Sequence, residues 1–205
     1  DGEYHLYFQH YPFGYYWGQP NWGHAVSKDL LHWEQLPDVI LRHELGGIYS
    51  GSSVVDYSNS SGFKSGDEDV IVAFYTTTRL INGRHASTQN VAYSNDRGRT
   101  FTDYENNPVI GDRFDVWKTD NARDPKVIWH EPTQKWVMVV YEAIGHSFFT
   151  SDNLKDWEYQ SHINTFWECP ELFELPVDGD PNNKKWVIYG VSGDYLIGDF
   201  DGKEF

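Results

Sequence analysis

Three stretches of this 205-residue chain repeat one pattern: Ser27-Lys28-Asp29-Leu30-Leu31-His32-Trp33, Ser94-Asn95-Asp96-Arg97-Gly98-Arg99-Thr100-Phe101 and Ser151-Asp152-Asn153-Leu154-Lys155-Asp156-Trp157. Their starts lie 67 and 57 residues apart. Each follows two strand-like segments and then turns into an aromatic residue. Serine and aspartate at such positions bind backbone amides and hold a hairpin closed, so the pattern is structural rather than catalytic. A hairpin unit recurring every ~40–60 residues marks a propeller blade, which buries its faces only by stacking on its neighbours.

Four segments read as buried strands: Tyr4 to His10, Val70 to Thr77, Trp136 to Tyr141 and Trp186 to Val191. Each is short, rich in β-branched and aromatic residues, and bounded by Gly, Asp, Asn or Lys. No stretch keeps a helical period, so the expected class is all-β. Asp1-Gly2 is a hairpin dipeptide running straight into a strand. At the other end a strand over Leu196 to Phe200 meets a turn at Asp201-Gly202. Both ends are thus expected to break inside hairpins, giving a propeller fragment of roughly three and a half blades, three to four in all.

The net charge of -15 disfavours phosphate backbones and anionic lipid, so no nucleic acid and no membrane partner is expected. No apolar run within residues 1–205 reaches the roughly 20 residues of a membrane span, and none of these residues reads as a signal peptide, a region expected to lie outside them. Aromatic residues make up 17% of the chain. They suit sugar rings as well as strand cores, and for any single one the core is the simpler account. Cys169 is the single cysteine, which rules out an internal disulfide.

Two acidic motifs stand out, Asn121-Ala122-Arg123-Asp124-Pro125 and Trp167-Glu168-Cys169-Pro170. Paired carboxylates among aromatic residues are the equipment of glycoside hydrolysis. On residue types alone a solvent-facing strand end is the better account of Glu168, and Arg123 can equally be a structural ion-pair partner of either acid. Other chemistries fit less well. There is no phosphate-cradling glycine loop, no nucleophile elbow around Ser50-Gly51-Ser52, and no zinc-ligand spacing among the histidines. Asp178, Asp180 and Asn182 begin like a calcium loop, but Asn183 and Tyr189 stand where Gly and Glu are required.

Taken in order, Tyr4-His5-Leu6-Tyr7-Phe8-Gln9, Trp22-Gly23-His24-Ala25, Tyr49-Ser50-Gly51-Ser52, Arg123-Asp124-Pro125, Glu168-Cys169-Pro170 and Ile197-Gly198-Asp199-Phe200-Asp201-Gly202 extend nearly end to end. The series resembles the catalytic propeller of glycoside hydrolase family 32, the invertases, inulinases and levanases that cleave β-fructofuranosides. The resemblance implies an all-β, five-bladed β-propeller, of which residues 1–205 form part. The first strand, the last blades and a β-sandwich domain lie outside them. It further implies a secreted, retaining enzyme acting on sucrose or fructan, with no metal and no cofactor. A homo-oligomer covering the open edges is a further expectation.

By the same resemblance Glu168 is the general acid/base, and Asp124 holds two fructose hydroxyls and stabilises the transition state. Arg123 orients these carboxylates, and Pro125 holds the Asp124 backbone extended. Gln9, Trp17 and Ser50 contact the sugar. Tyr49 replaces the family's usual phenylalanine and adds a hydroxyl to the pocket wall, and Cys169 lies beside the substrate. The family nucleophile belongs to an Asn-Asp-Pro-Asn-Gly motif on the strand before Tyr4, and residues 1–205 contain no such motif. Two alternatives stay open: a fructan-binding propeller without catalysis, and a related five-bladed hydrolase of arabinose or xylose polymers. Asn59-Ser60-Ser61 is a glycosylation sequon if the source is eukaryotic and secretory.

Overall fold

The run Val70-Ile71-Val72-Ala73-Phe74-Tyr75 carries apolar side chains on both faces, as a strand sandwiched between two sheets must. The computed structural model of the chain describes residues 2–205; Asp1 of the expected first turn falls outside them. Among the described residues fourteen strands form four antiparallel sheets. The first holds β1 (Tyr4–His10), β2 (Asn21–Ser27) and β3 (Trp33–Ile40). The second holds β4 (Gly47–Asp56), β5 (Val70–Ile81), β6 (Arg84–Ser94) and β7 (Thr102–Asp103). A four-residue helix, α1 (Phe114–Trp117), precedes the third sheet, of β8 (Ala122–His130), β9 (Lys135–Glu142), β10 (His146–Ser151) and β11 (Glu158–Ile163). The fourth holds β12 (Glu171–Val177), β13 (Asp180–Tyr189) and β14 (Tyr195–Gly198).

The sheets stack face to face as propeller blades. Val70, Val72 and Phe74 of β5 pack against Val127, Met138 and Val140 of the third sheet. The alternate residues Ala73 and Tyr75 pack against Trp22 and Ile40 of the first. In the same way Val137 and Val139 of β9 meet Leu172 and Ile188 of the fourth sheet. Both faces of β5 and β9 are therefore buried, which explains their unbroken apolar sequences. Short contacts link the innermost strands. Ser52 on β4 donates to the Pro125 carbonyl and accepts from the Val127 amide, and Lys126 on β8 pairs with Glu171 on β12 at 2.6 Å.

The three repeated turns join β2 to β3, β6 to β7 and β10 to β11. Ser27 and Asp29 accept the amides of residues 29 to 32, and Ser94 and Asp96 do the same in the second turn. In the third turn Ser151 and Asn153 take these roles, while Asp152 pairs outward with Lys135. Two strand readings need correction. Residues 4 to 10 form a strand that alternates exposed and half-buried positions, because the face carrying Tyr7 packs on the second sheet while Tyr4 and Leu6 on the other face meet no sheet among the described residues. The strand at Trp186 begins earlier, at Asp180, and ends at Tyr189, because Gly190 starts a tight turn.

Stacking also buries histidines. His146 on β10 is fully buried, its Nδ1 lies 2.8 Å from Thr165 Oγ1, and its Nε2 has no hydrogen-bond partner among the described residues. Burial, with His162 nearby, lowers its pKa to about 4, so the folded protein holds a neutral ring. The unfolded chain takes up the proton near pH 6.5. Stability is therefore intact above pH 6.5 and falls as the pH drops toward 4, by about 3 kcal/mol in full. His146→Gln is expected to flatten this acid limb, measured as the difference in urea unfolding free energy between pH 7 and pH 4.5. An unchanged difference would exclude His146 as its source.

Candidate active site

The polar cluster lies at one end of the propeller, where β4 and β8 begin and the chain approaches β12. Arg123 and Asp124 stand at the start of β8, where the pairing with β9 shifts register between Arg123 and Lys126. Asp124 adopts φ 62°, a left-handed conformation rather than the extended one expected before Pro125. Hydrogen bonds from residues distant in sequence override the proline preference. The Asp124 amide donates to Thr76 Oγ1 at 3.0 Å, and its Oδ2 accepts the Cys169 amide at 3.1 Å. Strained backbone of this kind costs about 1–3 kcal/mol and collects at functional sites.

Glu168 and Cys169 are left-handed as well, at φ 43° and 47°. The turn after β13 holds them: the Val191 amide donates to the carbonyls of Trp167 and Glu168 at 3.2 and 3.0 Å. A side chain at Gly190 would lie 2.4 Å from the Trp167 carbonyl oxygen, so this approach needs glycine.

Arg123 ties the two motifs together. Its Nη2 donates to Glu168 Oε1, its Nη1 to Asn121 Oδ1 at 3.0 Å, and its Nε lies 3.8 Å from Asp124 Oδ2. The guanidinium rests 4.9 Å above the Tyr141 ring, which stacks in turn on Trp167. Burial raises the pKa of Asp124. The Cys169 amide and Arg123 oppose that rise, and the Glu168 charge adds to it. Desolvation, together with the Asp124 carboxylate, pushes the Cys169 thiol up to about 11. At neutral pH it is a thiol, 3.7 Å from Asp124 Oδ2, and donates rather than attacks.

Across the cleft Gln9 Nε2 donates to Ser50 Oγ at 2.7 Å. Trp22 Nε1 donates to the Tyr49 carbonyl at 2.8 Å, and the exposed Trp17 ring lies 6.2 Å from that of Tyr49. Trp22 itself is buried in the core between the first two sheets. All eight residues singled out from the sequence, Gln9, Trp17, Tyr49, Ser50, Arg123, Asp124, Glu168 and Cys169, open onto one cleft of about 480 Å3. Thr76, Thr78, His85, Ser87 and Asp120 also line it, and sequence reasoning passed over them. The Asn82-Gly83 dipeptide was the available signal, since it marks the β5–β6 hairpin that carries His85 and Ser87 to the rim.

The model of the glycosyl hydrolases family 32 N-terminal domain matches residues 1–205. The chain belongs to glycoside hydrolase family 32. A levanase of Bacillus subtilis is 49% identical over all of this chain, which spans 32% of that protein. An invertase of Debaryomyces hansenii is 43% identical, with 98% of this chain and 40% of the invertase covered. Among solved structures, exo-inulinase from Aspergillus awamori superposes with a TM-score of 0.86 at 38% identity, covering 99% of this chain and 46% of that one. Fructofuranosidase from Schwanniomyces occidentalis complexed with fructose gives 0.86 at 40% identity, covering 100% and 42%. The chain thus spans less than half the length of these family members, and over that span it shares their fold.

Proposed function

We propose that the whole protein is a retaining β-fructosidase that releases fructose from sucrose or a fructan. Residues 1–205 contribute its acid/base and its transition-state stabiliser. The observation that carries this reading is the meeting of Arg123, Asp124 and Glu168 in one cleft, opposite the Trp17 ring and the Gln9–Ser50 pair. Glu168 is 36% exposed at its side chain, and Arg123 occupies Oε1. Oε2 then carries the proton that goes to the leaving oxygen, and later takes one from the attacking water. On Asp124 the Cys169 amide and Arg123 both approach Oδ2, which supports a reading in which Oδ1 is the oxygen more open to the sugar hydroxyls. A charge-assisted bond there strengthens as the ring gains positive charge.

Retention also needs a nucleophilic carboxylate about 5 Å from the acid. Asp120, the third carboxylate of the cleft, is held by the His85 amide at 3.0 Å and by Arg84 at 3.4 Å, which leaves it poorly placed to attack. We assign the nucleophile to a strand pairing with the inner edge of β1. A groove of about 430 Å3 runs along that edge, past Phe8 and Gly51, and shares Gln9 and Ser50 with the cleft. The kinship with levanase, inulinase and invertase favours fructoside over pentoside substrates and an extracellular site of action. The test is to assay the full-length protein on sucrose, inulin, levan and arabinan. Fructose release with retained anomeric configuration is expected. A folded protein that frees no fructose, or frees only pentose, would sink the proposal.

A further inference from the structure

We propose that Thr76 and Gln89, two buried residues of the second blade, are positioning residues for the acidic pair of the third. The inference rests on the glycosidase reading above. Thr76 Oγ1 accepts the Asp124 amide at 3.0 Å and donates to Gln89 Oε1 at 2.7 Å. Gln89 Nε2 donates to the Ala122 carbonyl at 3.2 Å. The two side chains thus clasp the backbone on both sides of Arg123. The register with β9 breaks directly after Arg123, at the left-handed Asp124.

Gln89 is itself fixed, because its backbone N–H donates to the Ile110 carbonyl at 2.9 Å and its backbone carbonyl accepts the amides of Val109 and Ile110. Thr76 and Gln89 are each only 1% exposed. The clasp therefore works in a dry setting, where an unpaired amide is costly and a paired one is rigid. Its role is to set the direction in which the Arg123 and Asp124 side chains leave the chain, and through Arg123 the position of Glu168. Thr76 lines the cleft floor, but its one proton and its acceptor face are committed to the clasp.

Thr76→Val keeps the shape and removes the hydroxyl; Thr76→Ser keeps the hydroxyl. In the full-length protein Thr76→Val is expected to lower kcat on sucrose about 30-fold, as misplaced reacting groups do. KM should stay within roughly threefold, the sign of an interaction that matters mainly in the transition state. Thr76→Ser should restore most of kcat. Hydrogen exchange at the Asp124 amide should quicken in Thr76→Val, and Gln89→Met should behave like it should Thr76→Val fold poorly. Unchanged kcat in a folded Thr76→Val, a loss confined to KM, or equal losses in Val and Ser would overturn the inference. A wild-type protein inactive on every fructoside sinks the glycosidase reading and this inference with it, an outcome distinct from an active wild type matched by Thr76→Val.

Discussion

Glu168→Gln in the full-length protein is expected to lower kcat on sucrose by about 10³-fold, within the range for loss of a general acid/base. The amide keeps the size of the side chain and can still face Arg123, so binding should change little. What disappears is the proton for the leaving oxygen and the base for the second step. Two further measurements make the assignment specific. With a nitrophenyl β-fructofuranoside the leaving group needs little protonation, so the first step should survive and hydrolysis of the covalent intermediate should limit turnover. Azide needs no base to attack that intermediate and should rescue turnover as fructosyl azide.

The comparison with Asp124→Asn separates the two carboxylates. A stabiliser acts through its charge in both steps, so its loss should cost about 10²–10³-fold on good and poor leaving groups alike. Azide should then give no rescue. Rescue of Asp124→Asn in place of Glu168→Gln would reverse the two roles, and rescue of neither would argue against a covalent intermediate.

The blade architecture was legible because it is written in short-range chemistry. The Ser-x-Asp turns close their hairpins with side chains two to four residues away, and the runs at Val70 and Trp136 are apolar on both faces. Such features survive in the sequence whatever the rest of the chain does. The acidic motifs stood out by residue type, but their roles were legible only by resemblance. Glu168 and Asp124 are 44 residues apart, and nothing near either one shows that Arg123 bridges to Glu168 or that Cys169 caps Asp124. The backbone at Asp124 was misjudged for the same reason. Local reasoning weighs Pro125 and favours an extended aspartate, whereas the deciding partner, Thr76, lies 48 residues earlier on another blade. His85 and Asp120 were missed because their place on the cleft rim follows from the β5–β6 hairpin meeting the loop that leads into β8.

That loop depends on a single buried acid, and removing it is expected to be the most costly change to stability outside the apolar core. Glu142, the last residue of β9, is fully buried and forms an ion pair with Arg113 Nε at 2.7 Å, in a geometry not aligned for a hydrogen bond. Its Oε2 accepts Trp117 Nε1 at 2.8 Å and Ser147 Oγ at 2.6 Å. The Trp117 ring covers His162 at 4.4 Å, and the Arg113 guanidinium lies over Phe149 and Tyr159. One carboxylate thus fastens α1 to the third blade. Arg84 also ties the loop on both sides of α1, through Asp112 and Asp120, and from Asp120 the chain runs on to Asn121 and Arg123. Glu142→Ala should lower the unfolding free energy by about 3 kcal/mol, because it strands a largely buried guanidinium as well as two donors. Glu142→Gln, which can still accept from Trp117 and Ser147, should cost about half of that. The double variant Glu142→Met, Arg113→Met removes the stranded charge and should be more stable than Glu142→Ala alone. Urea denaturation of the three variants measures these differences. A loss below about 1 kcal/mol for Glu142→Ala would assign the pair to the class of solvated surface ion pairs and leave the loop held by its aromatic contacts.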